Sequence, residues 1–184
     1  DEVLDLAARA GAWYVYQAVF DTSDHIRNRV KRYHDHGIAV EGTILLGLDD
    51  QTEDDIRRLI DFLLEIGLDL AEFTVLTPFP HTRTFDDFER EKRILSYDWD
   101  AYTADRVVFQ PRHMSPERLQ ELHAYAWETF YREEPQNYKM FKLFKQVVER
   151  EKADGTFRPR RRDLVVRRFG REGGLGTVGE TTKS

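Results

Sequence analysis

The stretch that decides the fold runs from residue 38 to residue 80 and reads IAVEGTILLGLDDQTEDDIRRLIDFLLEIGLDLAEFTVLTPFP. Two short apolar runs, residues 38–48 and 70–77, flank a segment whose apolar residues recur at helical spacing. Thr52 and Asp55 are spaced for a capping box at the start of that helix, and Gly67 is placed to end it. Strands joined through a helix must run parallel. This stretch therefore predicts one parallel strand–helix–strand unit.

The same order of helix, glycine and apolar strand occurs three times, with glycines at 11, 37 and 67. That rhythm is typical of consecutive βα units. We therefore predict an α/β fold, a partial, TIM-like barrel of about three parallel βα units over residues 1–82. Residues 83–131 should contain a loop, a short strand at 106–109 and a helix that begins at Ser115. An amphipathic helix over 132–154 and a basic, glycine-rich tail over 155–184 complete the expected organisation.

Composition limits the functions that this chain can perform by itself. Of its 184 residues, 40% are hydrophobic, which is enough for a core, and no apolar run approaches a membrane-spanning length. Cysteine is absent, which excludes disulfides and thiolate metal sites and favours a cytoplasmic location. The net charge of −6 is uneven, because residues 155–171 hold seven arginines and one aspartate. An acidic body with a basic tail is expected.

Five short motifs follow one another along the chain. They are GTILLG at 42–47, LTPFPHT at 76–82, RIL at 93–95 with Asp98-Trp99, VVFQP at 107–111, and MSPE at 114–117. This ordered series resembles the second half of the radical S-adenosylmethionine (radical-SAM) domain, in the cobalamin-binding branch of that family. The resemblance covers about residues 1–131, and the cysteine loop that holds the family's iron–sulfur cluster is absent.

The resemblance implies a barrel in which SAM binds across the tops of the strands beside a [4Fe–4S] cluster. The strand around residues 42–47 would then line the adenine, and residues 77–82 would close the far side of the pocket. Glycines in a strand also allow a planar ligand to approach the backbone closely. The cofactor-binding residues expected on this basis are Gly42, Ile44, Gly47, Thr77, Pro78 and His81. No catalytic residue and no metal ligand is expected.

The departures from the family pattern leave several functions open. Without cysteine the chain cannot hold the cluster, so SAM binding is only possible by resemblance, and cluster and cobalamin require portions that this sequence lacks. The favoured hypothesis is a non-catalytic docking subunit, or pseudoenzyme, derived from the radical-SAM fold. The alternative is a piece of a cobalamin-dependent radical-SAM enzyme, such as a methyltransferase, that is active only with its cluster-bearing half.

Three parallel strands should leave two open sheet edges and an apolar inner face. Such edges are normally paired or covered. We expect the last helices to cover part of the inner face, and another protein chain or a second copy to cover the rest. The basic tail is a further candidate for partner binding, to an acidic protein surface or, less favoured, to nucleic acid. Its candidate residues are Arg158, Arg160, Arg161, Arg162, Arg167 and Arg168.

Overall fold

A computed structural model describes residues 2–157 of the protein. The chain divides into two compact units, Asp1–Lys145 and Gln146–Ser184, of which the second is described only as far as residue 157. Within the described residues no helix has the length and apolar character needed to cross a bilayer. The elements in chain order are α1 (Glu2–Arg9), β1 (Tyr14–Val19), α2 (Asp24–Asp35), β2 (Ala39–Leu46), α3 (Glu53–Glu65), β3 (Leu70–Val75), α4 (Arg83–Arg90), a 3₁₀ turn (Trp99–Ala101), α5 (Pro116–Phe130) and α6 (Gln136–Ala153).

The helices begin where short polar side chains can cap them. Ser23, Thr52, Thr82 and Ser115 each accept a hydrogen bond from a backbone N–H in the first turn of α2, α3, α4 and α5. The predicted capping box of α3 is confirmed, because the Asp55 carboxylate accepts the backbone N–H of Thr52 at 2.9 Å. These signals lie within three residues of each helix start and need no tertiary contact.

The three strands form one parallel sheet in the order β1-β2-β3, which confirms the predicted α/β class and its three parallel units. Side chains alternate between the two faces of each strand. On one face lie Val19, Ile44 and Phe73, which pack with the apolar stripe of α3 in the main core. Helix α5 contacts both α3 and β3. We call this side the helix face and the opposite side the open face.

Helix α6 covers the lower end of the open face, where the strands begin. Leu143 from α6 is buried against Ala39 and Leu70, with Trp13 and Met140 packed around them. The expectation that a late helix covers part of the inner face is therefore confirmed. Within residues 2–157 no helix covers the rest of the open face in the same way, and Tyr16 of β1 keeps 63% of its surface exposed.

The structure corrects two predictions. Residues 106–109 do not form a strand; Phe109 makes a single antiparallel bridge to Ile94, and Pro111 soon follows without an N–H to continue the pairing. Among the described residues only one of the two expected open edges is unpaired, because side chains on and just after α5 and a loop carbonyl occupy the edge at β3, as described below. The six candidate arginines of the tail lie outside the described residues.

An ion pair between the buried Arg93 and the partly exposed Asp49 joins the segment after β3 to the loop after β2. The Arg93 guanidinium contacts both carboxylate oxygens of Asp49, at 2.6 and 2.9 Å, and donates to the Gln110 carbonyl at 2.7 Å. It also stacks over the Phe88 ring at 4.0 Å, and its side chain is only 9% exposed. The cation beside it lowers the pKa of Asp49. Loss of the guanidinium would leave this junction without its central donor.

Replacing Arg93 with methionine should lower the free energy of unfolding by about 2 kcal/mol, because the apolar stem is kept while a nearly buried charged pair is broken. Urea unfolding followed by circular dichroism measures this change. The matched control is Arg90→Met, which removes the exposed pair with Asp87 and should cost at most about 0.5 kcal/mol. Equal losses of unfolding free energy in the two variants would contradict a stabilising role for the Arg93–Asp49 ion pair.

A second charged cluster ties α5 to α3. Glu53, in the first turn of α3, accepts from Arg118 of α5 at 2.9 Å and from Arg57 at 3.0 Å. The hydrogen bonds from Arg118 and then Arg57 lower the pKa of Glu53 from 4.5 to about 2. A carboxylate at a helix N-terminus is also favoured by the helix dipole. The ionised form is therefore the one that joins the two helices.

The pH dependence of stability should carry the signature of Glu53. A lowered pKa in the folded state contributes stability above pH 4.5, and this contribution is lost as the pH falls from 4.5 toward about 2. Glu53→Gln should therefore reduce the slope of unfolding free energy against pH across that window. Urea titrations at several pH values test this, with the exposed Glu133→Gln as control. If the slope of unfolding free energy against pH is unchanged in Glu53→Gln, ionisation of Glu53 does not contribute to the pH dependence of stability.

Candidate functional site

The outer edge of β3 is sealed by groups from later in the chain. The Tyr131 hydroxyl accepts from the Ala71 N–H at 2.9 Å and donates to the Ala71 carbonyl at 2.8 Å. The Phe73 carbonyl lies 2.9 Å from Nε2 of His123, and the Val75 N–H donates to the Ala104 carbonyl at 2.7 Å. These contacts occupy the positions at which a further strand would pair, so the sheet ends at β3.

The two sealing side chains make these contacts in different ways. Nε2 of His123 lies between the Phe73 carbonyl, which can only accept, at 2.9 Å, and the Trp127 indole N–H, which can only donate, at 3.2 Å. Burial raises the pKa of Tyr131 to about 12, so its hydroxyl stays protonated and can donate and accept at once. His123 and Tyr131 are eight residues apart on or just after α5 and lie along one side of it.

The outer edge of β1 is different. Residues of β1 whose backbone groups bond to β2 alternate with Tyr14, Tyr16 and Ala18, whose groups point outward. Among the described residues, the hydrogen bond found at this edge is from the Gln17 side chain to the Ala18 carbonyl, at 2.8 Å. No described strand pairs there. The sheet can therefore be extended at β1 but not at β3.

Exposed apolar side chains occur in the segments before and after β1. Phe20, directly after β1, is 59% exposed, and Val3 and Leu6 of α1 are 79% and 61% exposed. Helix α1 has no buried residue among Glu2–Arg9. Scattered exposed apolar residues are ordinary, but Phe20 directly follows the strand with the unpaired edge, where exposed apolar surface is typical of an interaction surface.

At the top of β2, the backbone groups are bonded within the chain. The buried Gln51 side chain accepts from the N–H of Gly47 at 2.8 Å and of Leu48 at 3.2 Å, and it donates to the Leu45 carbonyl at 3.3 Å. Gly47 has a φ of +90°, and a Cβ at this position would lie 2.6 Å from Leu119. Its lack of a side chain therefore has a packing reason.

The other predicted cofactor-binding residues are divided between the helix face and the segment after β3. Gly42 faces the helix side, where an added Cβ would lie 2.6 Å from Leu68, and Ile44 is fully buried there. Pro78 is buried after β3, and the Thr77 hydroxyl donates to the Val75 carbonyl at 3.0 Å. His81 is exposed in the following turn with a φ of +64°. No contact among these residues defines a ligand, and their cofactor role stays a prediction.

The cofactors implied by the resemblance fit the chain unequally. An iron–sulfur cluster needs thiolate ligands, and none of the 184 residues is cysteine, so this chain does not supply its ligands. In the described part of the chain no group of three or more His, Asp or Glu residues could hold a metal ion. For SAM, Gly47 and Gly42 are explained by packing, and the donors at the top of β2 are engaged by Gln51.

A cleft of about 370 Å³ lies along β3 where the open face meets the sealed edge. Glu41 of β2 and Glu72 of β3 line it, together with Tyr16, Asp105, His123 and Trp127. Glu41 is only 7% exposed, and none of the described residues donates a hydrogen bond to its carboxylate. Burial, and then the charge of Glu72, raise its pKa. This is the chemically distinctive site of the described residues.

Sequence reasoning missed this cleft, although one signal was present. β2 and β3 read AVEGTILL and LAEFTV, and each contains a single charged residue within an otherwise apolar or small-residue strand. A charged residue in a buried parallel strand is unusual. Glu41 and Glu72 could therefore have been chosen as site residues without coordinates. His123 gave no such signal, because its role depends on a strand edge 50 residues away.

Comparison with known proteins places part of the chain beside methyltransferases. It is 29% identical over 134 residues to bacteriochlorophyllide d C-12(1)-methyltransferase of Chlorobaculum tepidum, which covers 65% of this chain and 29% of that protein. It is 28% identical over 102 residues to an uncharacterised methyltransferase of Pyrococcus horikoshii, covering 55% of this chain and 22% of that protein. A shorter stretch of 67 residues is 34% identical to tRNA-2-methylthio-N(6)-dimethylallyladenosine synthase of Treponema denticola, covering 35% of this chain and 15% of that protein.

The chain thus spans less than a third of the length of these curated relatives. No protein-family model matches it. The similarity supports a relationship to methyltransferases over part of the chain, and the activities of the whole relatives belong to those proteins.

Substitution of Gly47 tests whether a clash with Leu119 adds to the cost of a positive φ at this position. Gly47→Ala should lower the free energy of unfolding by about 2–4 kcal/mol, because the new Cβ adds a clash with Leu119 to the cost of a positive φ. Gly67→Ala is the matched control: its φ is +67° but nothing lies within 4 Å, so only about 1 kcal/mol is expected. Thermal or urea unfolding measures both. Equal losses would refute the packing role of Gly47.

Proposed function

We propose that this chain is one half of a radical-SAM-type barrel and functions only when a complementary half extends its sheet from β1. The assembled protein would be a methyltransferase of the cobalamin-binding kind. In it the complementary half supplies the cysteine ligands of the [4Fe–4S] cluster, and cobalamin is held by a further portion. This chain supplies three strands of the barrel wall and the helices that close its other end.

The asymmetry of the two sheet edges is the observation that carries this proposal. At β3, Tyr131, His123 and Ala104 contact outward backbone groups of Ala71, Phe73 and Val75. At β1 the outward groups of Tyr14 and Tyr16 have no strand partner among the described residues. A parallel sheet with one finished and one unfinished edge is suited to growth in one direction only.

Partial similarity to methyltransferases supports the chemical half of the proposal. The match to the Chlorobaculum tepidum enzyme extends over 134 residues and 65% of this chain. It agrees with the ordered motifs between residues 42 and 117 that resemble the radical-SAM domain. Methyl transfer is therefore the reaction class that we propose for the assembled protein.

A second candidate is a non-catalytic docking subunit that keeps the fold and the open edge. Two observations favour it: the chain has no cysteine, and the backbone donors of Gly47 and Leu48 are engaged by Gln51 rather than facing a ligand. In this form the partner at β1 would be a protein chain with its own function, and SAM would not bind.

Iron analysis and calorimetry distinguish the two candidates. The reading frame around this sequence should encode three closely spaced cysteines upstream, and the protein expressed from it should contain iron and release heat when SAM is added. The isolated chain is the control and should do neither. A complete reading frame without the cysteines, together with no heat from SAM, would leave the docking candidate and remove the methyltransferase.

Hydrogen exchange tests the edge asymmetry in the isolated chain. The amide of Tyr16 should exchange at least about a hundredfold faster than the amide of Val75, because the first points to an unpaired edge and the second donates to Ala104. Both residues lie in six-residue strands of one sheet, so they form a matched pair. Amide exchange followed by NMR provides the rates.

Equal protection of the two amides would mean that β1 is already covered. Light scattering after size-exclusion chromatography then identifies the cover: a concentration-dependent dimer would mean pairing with a second copy. A stable monomer with a protected Tyr16 amide would overturn the proposal of an open edge.

A further inference from the structure

The cleft along β3 is lined by acidic residues, and neither the fold nor the comparison with known proteins indicates a ligand for it. Its charged and titratable lining residues are Glu41, Glu72, Asp105 and His123, and no lysine or arginine of the described residues lines it. A cleft of this composition repels anions and attracts cations. Cations that reach it meet carboxylates on two adjacent strands.

Glu41 is the decisive residue, because most of it is buried while its carboxylate opens to the cleft and has no partner among the described residues. Only 7% of its surface is exposed, and among the described residues neither a cation nor a hydrogen-bond donor faces its carboxylate. Buried carboxylates in folded proteins are almost always paired. An unpaired one that lines a cleft indicates that its partner lies outside the described residues.

The other residues that line the cleft indicate that its ligand also has an apolar part. Tyr16 and Trp127 present aromatic surface on two sides of the cleft, and Phe73 and Thr74 contribute from β3. Aromatic faces favour ammonium and guanidinium groups through cation–π attraction. Simple metal ions are less suited, since no group of three ligating side chains is present in the described residues.

The volume of the cleft favours a small molecule over a single protein side chain as its occupant. Its volume of about 370 Å³ is within the range of small-molecule sites. A lysine or arginine side chain from a partner would fill only part of that space. We infer that the cleft binds a small organic cation, an amine or guanidine with an apolar body, whose charge pairs with Glu41.

This inference is independent of the proposed barrel assembly, because every residue it uses belongs to the chain. Benzylamine, which is cationic at neutral pH, and benzyl alcohol, its neutral counterpart of similar shape, are suitable probes. NMR titration of the chain should show saturable shifts at Glu41, Glu72 and Trp127 with benzylamine, with a Kd near about 1 mM. Benzyl alcohol should bind at least about tenfold more weakly.

Three variants assign the interaction. Glu41→Gln keeps the shape but removes the charge and should weaken benzylamine binding at least about tenfold. Glu72→Gln, at an exposed residue, should weaken it about two- to threefold. Glu128→Gln, exposed on α5 and outside the cleft, is the matched control and should leave affinity unchanged.

Folding of each variant is checked by urea unfolding, and Glu41→Gln should be at least as stable as the parent because a buried charge is removed. Equal binding of benzyl alcohol, or undiminished binding by Glu41→Gln, would overturn the inference. So would the absence of benzylamine shifts up to about 10 mM, which would instead assign the place beside Glu41 to a partner's lysine or arginine.

Discussion

The outward backbone groups of β3 must be hydrogen-bonded, because the strand is buried on its outer side and a missing partner would cost about 1–3 kcal/mol for each group. Ala71, Phe73 and Val75 are all less than 3% exposed, so water cannot serve as that partner. A hydroxyl, an imidazole and a loop carbonyl lie within hydrogen-bonding distance of groups of Ala71, Phe73 and Val75. The contacts of His123 and Tyr131 hold α5 against the sheet, and α5 in turn positions one wall of the cleft.

This arrangement explains why the segment after β3 departs from the βα rhythm of the first 75 residues. A fourth strand at this edge would bring its own unpaired edge, whereas side chains of a helix end the ladder without creating another. Growth is thereby confined to β1, where no helix plays the same part among the described residues. In the proposed assembly, the sealed edge at β3 therefore determines that a partner joins at β1.

Local structure could be predicted from the sequence because its causes are local. The Thr52–Asp55 capping box and the three parallel strands follow from residues that are close together in the chain. The sealed edge could not be predicted, since Tyr131 and Ala71 are 60 residues apart and any buried tyrosine would have looked the same. Glycine was ambiguous for a physical reason. A ligand approaching the backbone and a leucine packed on it both require the absence of Cβ, and at Gly47 the structure supplies the leucine.

The carboxylate of Glu41 lowers the stability of the fold. In a strand of alanine, valine, isoleucine and leucine, an apolar residue at the same position would avoid the cost of desolvating a charge. The second carboxylate at Glu72 adds repulsion. Residues that oppose folding in this way are typical of functional positions. Because the sealed edge of β3 already holds the cleft walls in place, the open face can carry this destabilising pair without losing its shape. Under the two proposals, the sheet would combine two tasks: one edge would join a protein partner, and one face would bind a positive charge.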